Sequence, residues 1–172
     1  SKEIELTKST ALIGEDCWAD GRYGDYASSQ VVLNDSHMIK ELYQGNKLGK
    51  YQLLEVMQKF ADFDANRLKG NLELAVSKQE IEKVIVLIHV PPFKESCMYE
   101  GKISGDDYLP FFSSKATGDV LLEVAKKNPK IEFLVLCGHT HSKSYYNPLS
   151  NLVVKAGISE YRYPKIQEII EV

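Results

Sequence analysis

The sequence predicts an α/β fold in one domain over residues 1–172, and three observations predict it. Two continuous apolar runs, "KVIVLIHV" at 83–90 and "KIEFLVLCG" at 130–138, read as buried central strands. Between them and ahead of them, apolar residues recur at three- and four-residue spacing, as on the buried face of helices. Polar, glycine-punctuated segments separate these blocks.

Taken in order, "EIELTKSTALIGEDCW" reads as two short strands around the "TKS" turn, and "ADGRYGDYASS" at 19–29 as a loop. Asp35 or Ser36 caps a first helix through about Tyr43, which "GNKLGK" breaks. Leu53, Leu54, Met57, Phe60, Ala61, Leu68, Leu72 and Val76 then mark a long, strongly charged helical stretch. Pro91 and Pro92 end the first buried strand, and residues 93–116 form a loop long enough to be functional. "GDVLLEVAKKNP" at 118–129 is a helix capped near Thr117 or Asp119 and stopped before Pro129. "SYYNPLSNLVVKAG" reads as a hairpin around "NPLSN", and "KIQEIIEV" as a final alternating strand.

Composition narrows the function classes. The net charge of −3 and pI near 5.8 give no specific nucleic-acid signal and no pull toward anionic membranes. No apolar run approaches the roughly 18 residues of a membrane helix, and "SKEIELTKST" has no apolar signal core. Cys17, Cys97 and Cys137 are odd in number and lack CxxC spacing, which fits a cytoplasmic protein rather than a disulfide framework.

The candidate site rests on three of the four histidines. His89 is next to last in its strand, and His139 and His141 follow the next strand after Gly138. Ligand sites of layered α/β proteins gather where strands end and loops begin. In extended or loop backbone, side chains at i and i+2 point the same way. Imidazole is the commonest neutral nitrogen ligand for Zn, Mn and Fe, so three converging imidazoles make a candidate metal site. His37, in a helical stretch without partners, reads as an ordinary surface or packing residue. Cys137 reads as core, Lys126, Lys127 and Lys130 as an exposed helix end, and Tyr99, Tyr108, Phe111 and Phe112 as packing aromatics.

"VLIHVPPF" and "LCGHTH" resemble the last two signature blocks of the calcineurin-like metallophosphoesterase superfamily. "GEDCWADGRYG" looks like the segment that follows the third block in bacterial members, and the resemblance covers essentially the whole chain. It implies the C-terminal half of a β-sandwich flanked by helices, and hydrolysis of a phosphate-ester substrate by two divalent ions, Mn, Fe or Zn. It implies that His89 and His139 bind one ion and His141 the other, while a metal-bridging hydroxide attacks phosphorus in line. Trp18 and Arg22, in the glycine-rich loop, are the candidate substrate-binding residues, because a guanidinium grips phosphate.

The departures are equally plain. The family's Asp-x-His, Gly-Asp-x-x-Asp and Gly-Asn-His-Asp/Glu blocks are absent, and with them the bridging carboxylate. Asp16, Asp20 and Asp25 read as loop and turn residues rather than replacement ligands. Three neutral imidazoles without a carboxylate hold two dications poorly. The expectation is a chain that is inactive alone, with the other blocks lying ahead of Ser1 in the full-length protein. A catalytically silent protein-binding module and a single-zinc site of three histidines plus water are the competing expectations. Because "VIVLIHV" and "IEFLVLC" are apolar at successive positions, both faces of those strands expect cover. Helices at 50–80 and 118–128 serve one face, so the other predicts a homodimer or association with an N-terminal segment.

Overall fold

A six-stranded mixed sheet organises the computed structural model, which describes residues 3–172. Along the chain run β1 (Ile4–Glu5), β2 (Thr10–Gly14), α1 (Asp35–Met38), α2 (Lys40–Leu48) and α3 (Lys50–Val76). There follow β3 (Lys83–Leu87), a small hairpin of β4 (Met98–Tyr99) and β5 (Lys102–Ile103), α4 (Leu109–Phe112) and α5 (Lys115–Lys127). The chain finishes with β6 (Glu132–Cys137), β7 (Ser144–Leu149) and β8 (Leu152–Ala156). The sheet order is β1-β2-β3-β6-β8-β7. Its four central strands are parallel, and β1 and β7 close the two edges antiparallel. Parallel neighbours need crossovers, and the helices between β2 and β3 and between β3 and β6 supply them.

Alternation along the strands sends Ala11, Ile13, Val84, Val86, Phe133, Val135, Leu152 and Val154 into one core. Leu68, Leu72 and Ala75 of α3 and Leu121, Val124 and Ala125 of α5 cover that face. Gly118 lets α5 approach the Pro91–Phe93 turn, since a Cβ there would lie 2.2 Å from the Pro92 carbonyl oxygen. We predict that Gly118→Ala destabilises the fold by about 2 kcal/mol or more through overpacking, measured by urea titration. An unchanged midpoint would show that the turn can give way.

The opposite face carries Leu12, Ile85, Leu134 and Val153 at one register level and Leu87 and Leu136 at the next. Ile85, in the middle of the row, is buried, Leu12, Leu134, Val153 and Leu136 are half-buried, and Leu87 is 42% exposed. The expected sandwich is therefore present as one layer only: no second large sheet packs on this face among the described residues. The segment after β8 returns over its end, where Glu168 pairs with Lys155. That segment forms no strand, contrary to the alternation of "KIQEIIEV", and Ile166 and Ile169 stand exposed. Alternation specifies a strand only where an edge exists to pair with.

Two helix boundaries also differ from the sequence reading. The break expected in "GNKLGK" falls at its second glycine, Gly49, with φ 128°, while Gly45 lies inside α2, and the helical stretch is broken earlier as well, at Ile39, with extended backbone. Ser114, not Thr117 or Asp119, caps α5, accepting from the Thr117 N–H at 3.4 Å. The 93–116 segment is no open loop but a 3₁₀ turn, the β4–β5 hairpin and α4. No helix is long and apolar enough to cross a membrane among the described residues.

Candidate functional site

The C-terminal edge of the parallel sheet carries the three candidate histidines. Leu87 and Leu136 pair at the last rung, and the chain continues in step beyond it. The Ile88 N–H donates to the Leu136 carbonyl at 3.0 Å, and the Gly138 N–H to the His89 carbonyl at 3.0 Å. The His89 N–H in turn donates to the Asp16 carbonyl at 3.0 Å, joining the segment that leaves β2. Three strand ends thus meet at His89.

Two of the histidines come together. The His89 and His139 rings lie 4.7 Å apart between centroids. Trp18 stacks on His89 at 5.5 Å and meets the His139 ring edge-on at 5.7 Å, while Phe112 presents another edge to His139. His139 Nε2 lies 3.2 Å from the Phe111 carbonyl, so that nitrogen donates and leaves Nδ1 as the lone-pair nitrogen. Burial pushes the His139 pKa down to about 4, assisted by His89, and burial also lowers that of His89. His139 is therefore neutral at pH 7, the state a metal ligand must have.

His141 shares the edge but not the cluster, because its ring packs against Tyr161 at 4.8 Å. His139 and His141 both adopt left-handed backbone, with φ of 66° and 55°. Such conformations cost on the order of 1 kcal/mol each in a non-glycine residue and concentrate at functional sites. Between them Thr140 is buried, and its hydroxyl has no hydrogen-bond partner among the described residues.

Of the proposed substrate-binding pair, Trp18 lies against the histidines, and Arg22 does not face an open site. Its guanidinium bridges Asp20 at 3.1 Å and Asp62 of α3 at 2.7 Å. A phosphate would have to displace those carboxylates. Asp20, read from sequence as a loop residue, is fully buried. It accepts from the Arg22 N–H at 3.0 Å and from the Ala116 N–H, in the first turn of α5, at 2.8 Å. The signal that finds it is the charge itself: a buried carboxylate must be paired. Cys137 is half-buried, its thiol directed to the Lys155 carbonyl and raised to about 12 by burial, so it is no thiolate ligand. His37 is exposed on α1.

The donor set fits part of a metal site. His89 and His139 offer neutral nitrogens side by side, but no group of three or more His, Cys, Asp or Glu is placed to hold an ion among the described residues. The carboxylates that act on His89 are Asp35, which acts on His139 as well, and Asp16. Asp16 and Glu15 line an open hollow with Arg67, and Glu15 is paired with Arg67 at 3.3 Å. A two-metal centre does not fit this chain by itself. Comparison with protein-family models and with curated proteins finds no match for this chain.

Proposed function

We propose that the protein is a metal-dependent phosphoric ester hydrolase of the calcineurin-like type, of which this chain supplies the histidine half of the site. One observation carries the reading. His89 and the His139–His141 pair sit at the ends of adjacent parallel strands, with two of the three in strained left-handed backbone. Mn, Fe or Zn held there would activate water and neutralise charge on the phosphoryl oxygens of a phosphate ester. His89 and His139 would hold one ion, with His141 directed to a second. The chain's own contribution is positional: Trp18 and Phe112 wedge the His139 ring, and the Phe111 carbonyl fixes its tautomer. No step of hydrolysis is assigned to this chain, because the anionic oxygen ligands are not among its clustered residues. A cytoplasmic setting suits three free cysteines.

The test is metal titration followed by assay. Isothermal titration with Zn or Mn should find at most one ion per chain, and His139→Ala should abolish it. Hydrolysis of an aryl phosphate with Mn present should stay at background. Two tightly held ions, or turnover that His139→Ala removes, would mean that Asp16 or a partner chain completes the site. A catalytically silent protein-binding module is the second reading, favoured by the open apolar face around Leu134 and Leu87. It predicts no metal uptake at all.

A further inference from the structure

Trp18 and Phe111 have a second role that the histidine edge does not use. Both also line a cavity of about 220 Å³ between the 18–36 loop, α2 and the start of α3. Phe111, Tyr26, Leu42, Leu53 and Met57 form its buried apolar wall. An apolar cavity of about 150 Å³ already admits benzene, so this one takes a single aromatic ring with room for substituents. Trp18 makes the cavity and the histidine pair neighbours, with one face of the indole on His89.

The polar groups of the lining narrow the ligand. Lys50 lies 5.4 Å above the Tyr26 ring and donates to the Ala27 carbonyl at 2.8 Å, and the Tyr26 hydroxyl donates to the Lys50 carbonyl at 2.7 Å. Ser36 donates to the Leu33 carbonyl at 2.6 Å, and Ser29 to the Asp107 carbonyl at 2.7 Å. Asp35 and Asn46 make no side-chain hydrogen bond among the described residues; Asp35 is half-buried, acts electrostatically on His89 and His139, and when ionised can only accept. An anionic substituent would face Asp35, and the cation of the lining, Lys50, already donates to the Ala27 and Ser29 carbonyls. A ring without a donor would strip water from Asp35 and return nothing.

We infer that this cavity receives the alcohol part of the substrate and takes an aromatic ring bearing an N–H donor directed at Asp35. This assignment rests on the phosphoesterase reading for its place beside the phosphate. Ring recognition itself needs no metal. Trp18 is then a specificity residue as well as a wall for the histidines, holding the ring on one side and the ligand cluster on the other.

The probe is 4-fluoroaniline, followed by ¹⁹F NMR on the full chain in EDTA, with fluorobenzene as the donor-free control. Saturable millimolar binding of 4-fluoroaniline is expected, at least about 10-fold tighter than fluorobenzene, because leaving the half-buried Asp35 acceptor unmet penalises the analogue. Asp35→Ala, which leaves no acceptor, should erase most of that difference. Filling the cavity with Met57→Phe, or with Val31→Phe if the buried site does not tolerate the larger ring, should abolish binding in a variant that still melts cooperatively. Equal affinity for the two probes, or binding untouched by the folded filling variant, overturns the assignment. His139→Ala separates the two readings. It should remove Zn uptake and leave 4-fluoroaniline binding in place. Zn uptake without ring binding would overturn the substrate class alone. Ring binding without Zn uptake would overturn the phosphoesterase reading, and with it the ring's place beside a phosphate.

Discussion

Replacing Asp20 by Ala is expected to cost about 3–5 kcal/mol, the loss typical of breaking a buried charged network. The carboxylate is fully buried and holds three elements together: its own loop through Arg22, α3 through Arg22 and Asp62, and α5 through the Ala116 N–H. Alanine leaves the Ala116 amide unsatisfied and half the Arg22 pairing undone, in a site with no water access for the side chain. For a chain of this size the loss corresponds to a fall in Tm on the order of 10 °C. Asp20→Asn keeps an acceptor for the amide and should lose less than half as much. Trp18, the sole tryptophan, lies two residues away and its emission reads the loop directly. A thermal melt of Asp20→Ala within 2–3 °C of the parent would show that Arg22 and α5 hold the loop without it, against the roughly 10 °C expected from the network.

The second large effect is on association. A row of apolar side chains crosses the sheet from Leu12 to Val153 with Leu87 and Leu136 beside it, and helices cover only the other face. Strands that are apolar on both sides call for cover on both sides. We expect the purified chain to be a dimer of about 39 kDa, twice its 19.4 kDa mass, burying at least roughly 1,600 Å² in total. Leu134→Lys places a charge at the centre of that surface and should raise the dimer dissociation constant at least about 100-fold, or roughly 2.7 kcal/mol. Sedimentation equilibrium reads both. A monomer at about 100 μM, unaltered by Leu134→Lys, would leave the face to a different partner, as the binding-module reading requires.

Much of this was legible in the chain, for physical reasons that can be named. Runs such as "VIVLI" are apolar at every position because their strands lie inside a sheet, and the histidines could be placed once those strands were recognised. The helical spacing from Leu53 to Val76 gave α3, and "NPLSN" gave the β7–β8 hairpin. What escaped depends on tertiary partners. Whether 165–172 pairs is decided by a neighbour that its own residues do not encode, and Ile39 breaks the helix although nothing local forbids it. Asp20 looked like a turn residue because its distant partner, the Ala116 N–H of α5, lies 96 positions away in sequence. That His141 turns toward Tyr161 rather than joining His89 and His139 likewise lies beyond spacing arguments.

The strand order also dictates how the chain reaches this state. Phe133 pairs with Leu152, a short closure, whereas Thr10 must find Lys83 across the whole of the loop and three helices. Closing the longer loop costs more chain entropy and comes later. The segment from α5 to β8 is therefore expected to assemble first and to exchange its amide hydrogens slowest, with β1 and β2 docking afterwards and opening most readily. Trp18 rides on the chain leaving β2, so its stacking on His89 is among the last contacts to form. His139 and His141 are placed early, and the wall that fixes the histidine pair arrives at the end.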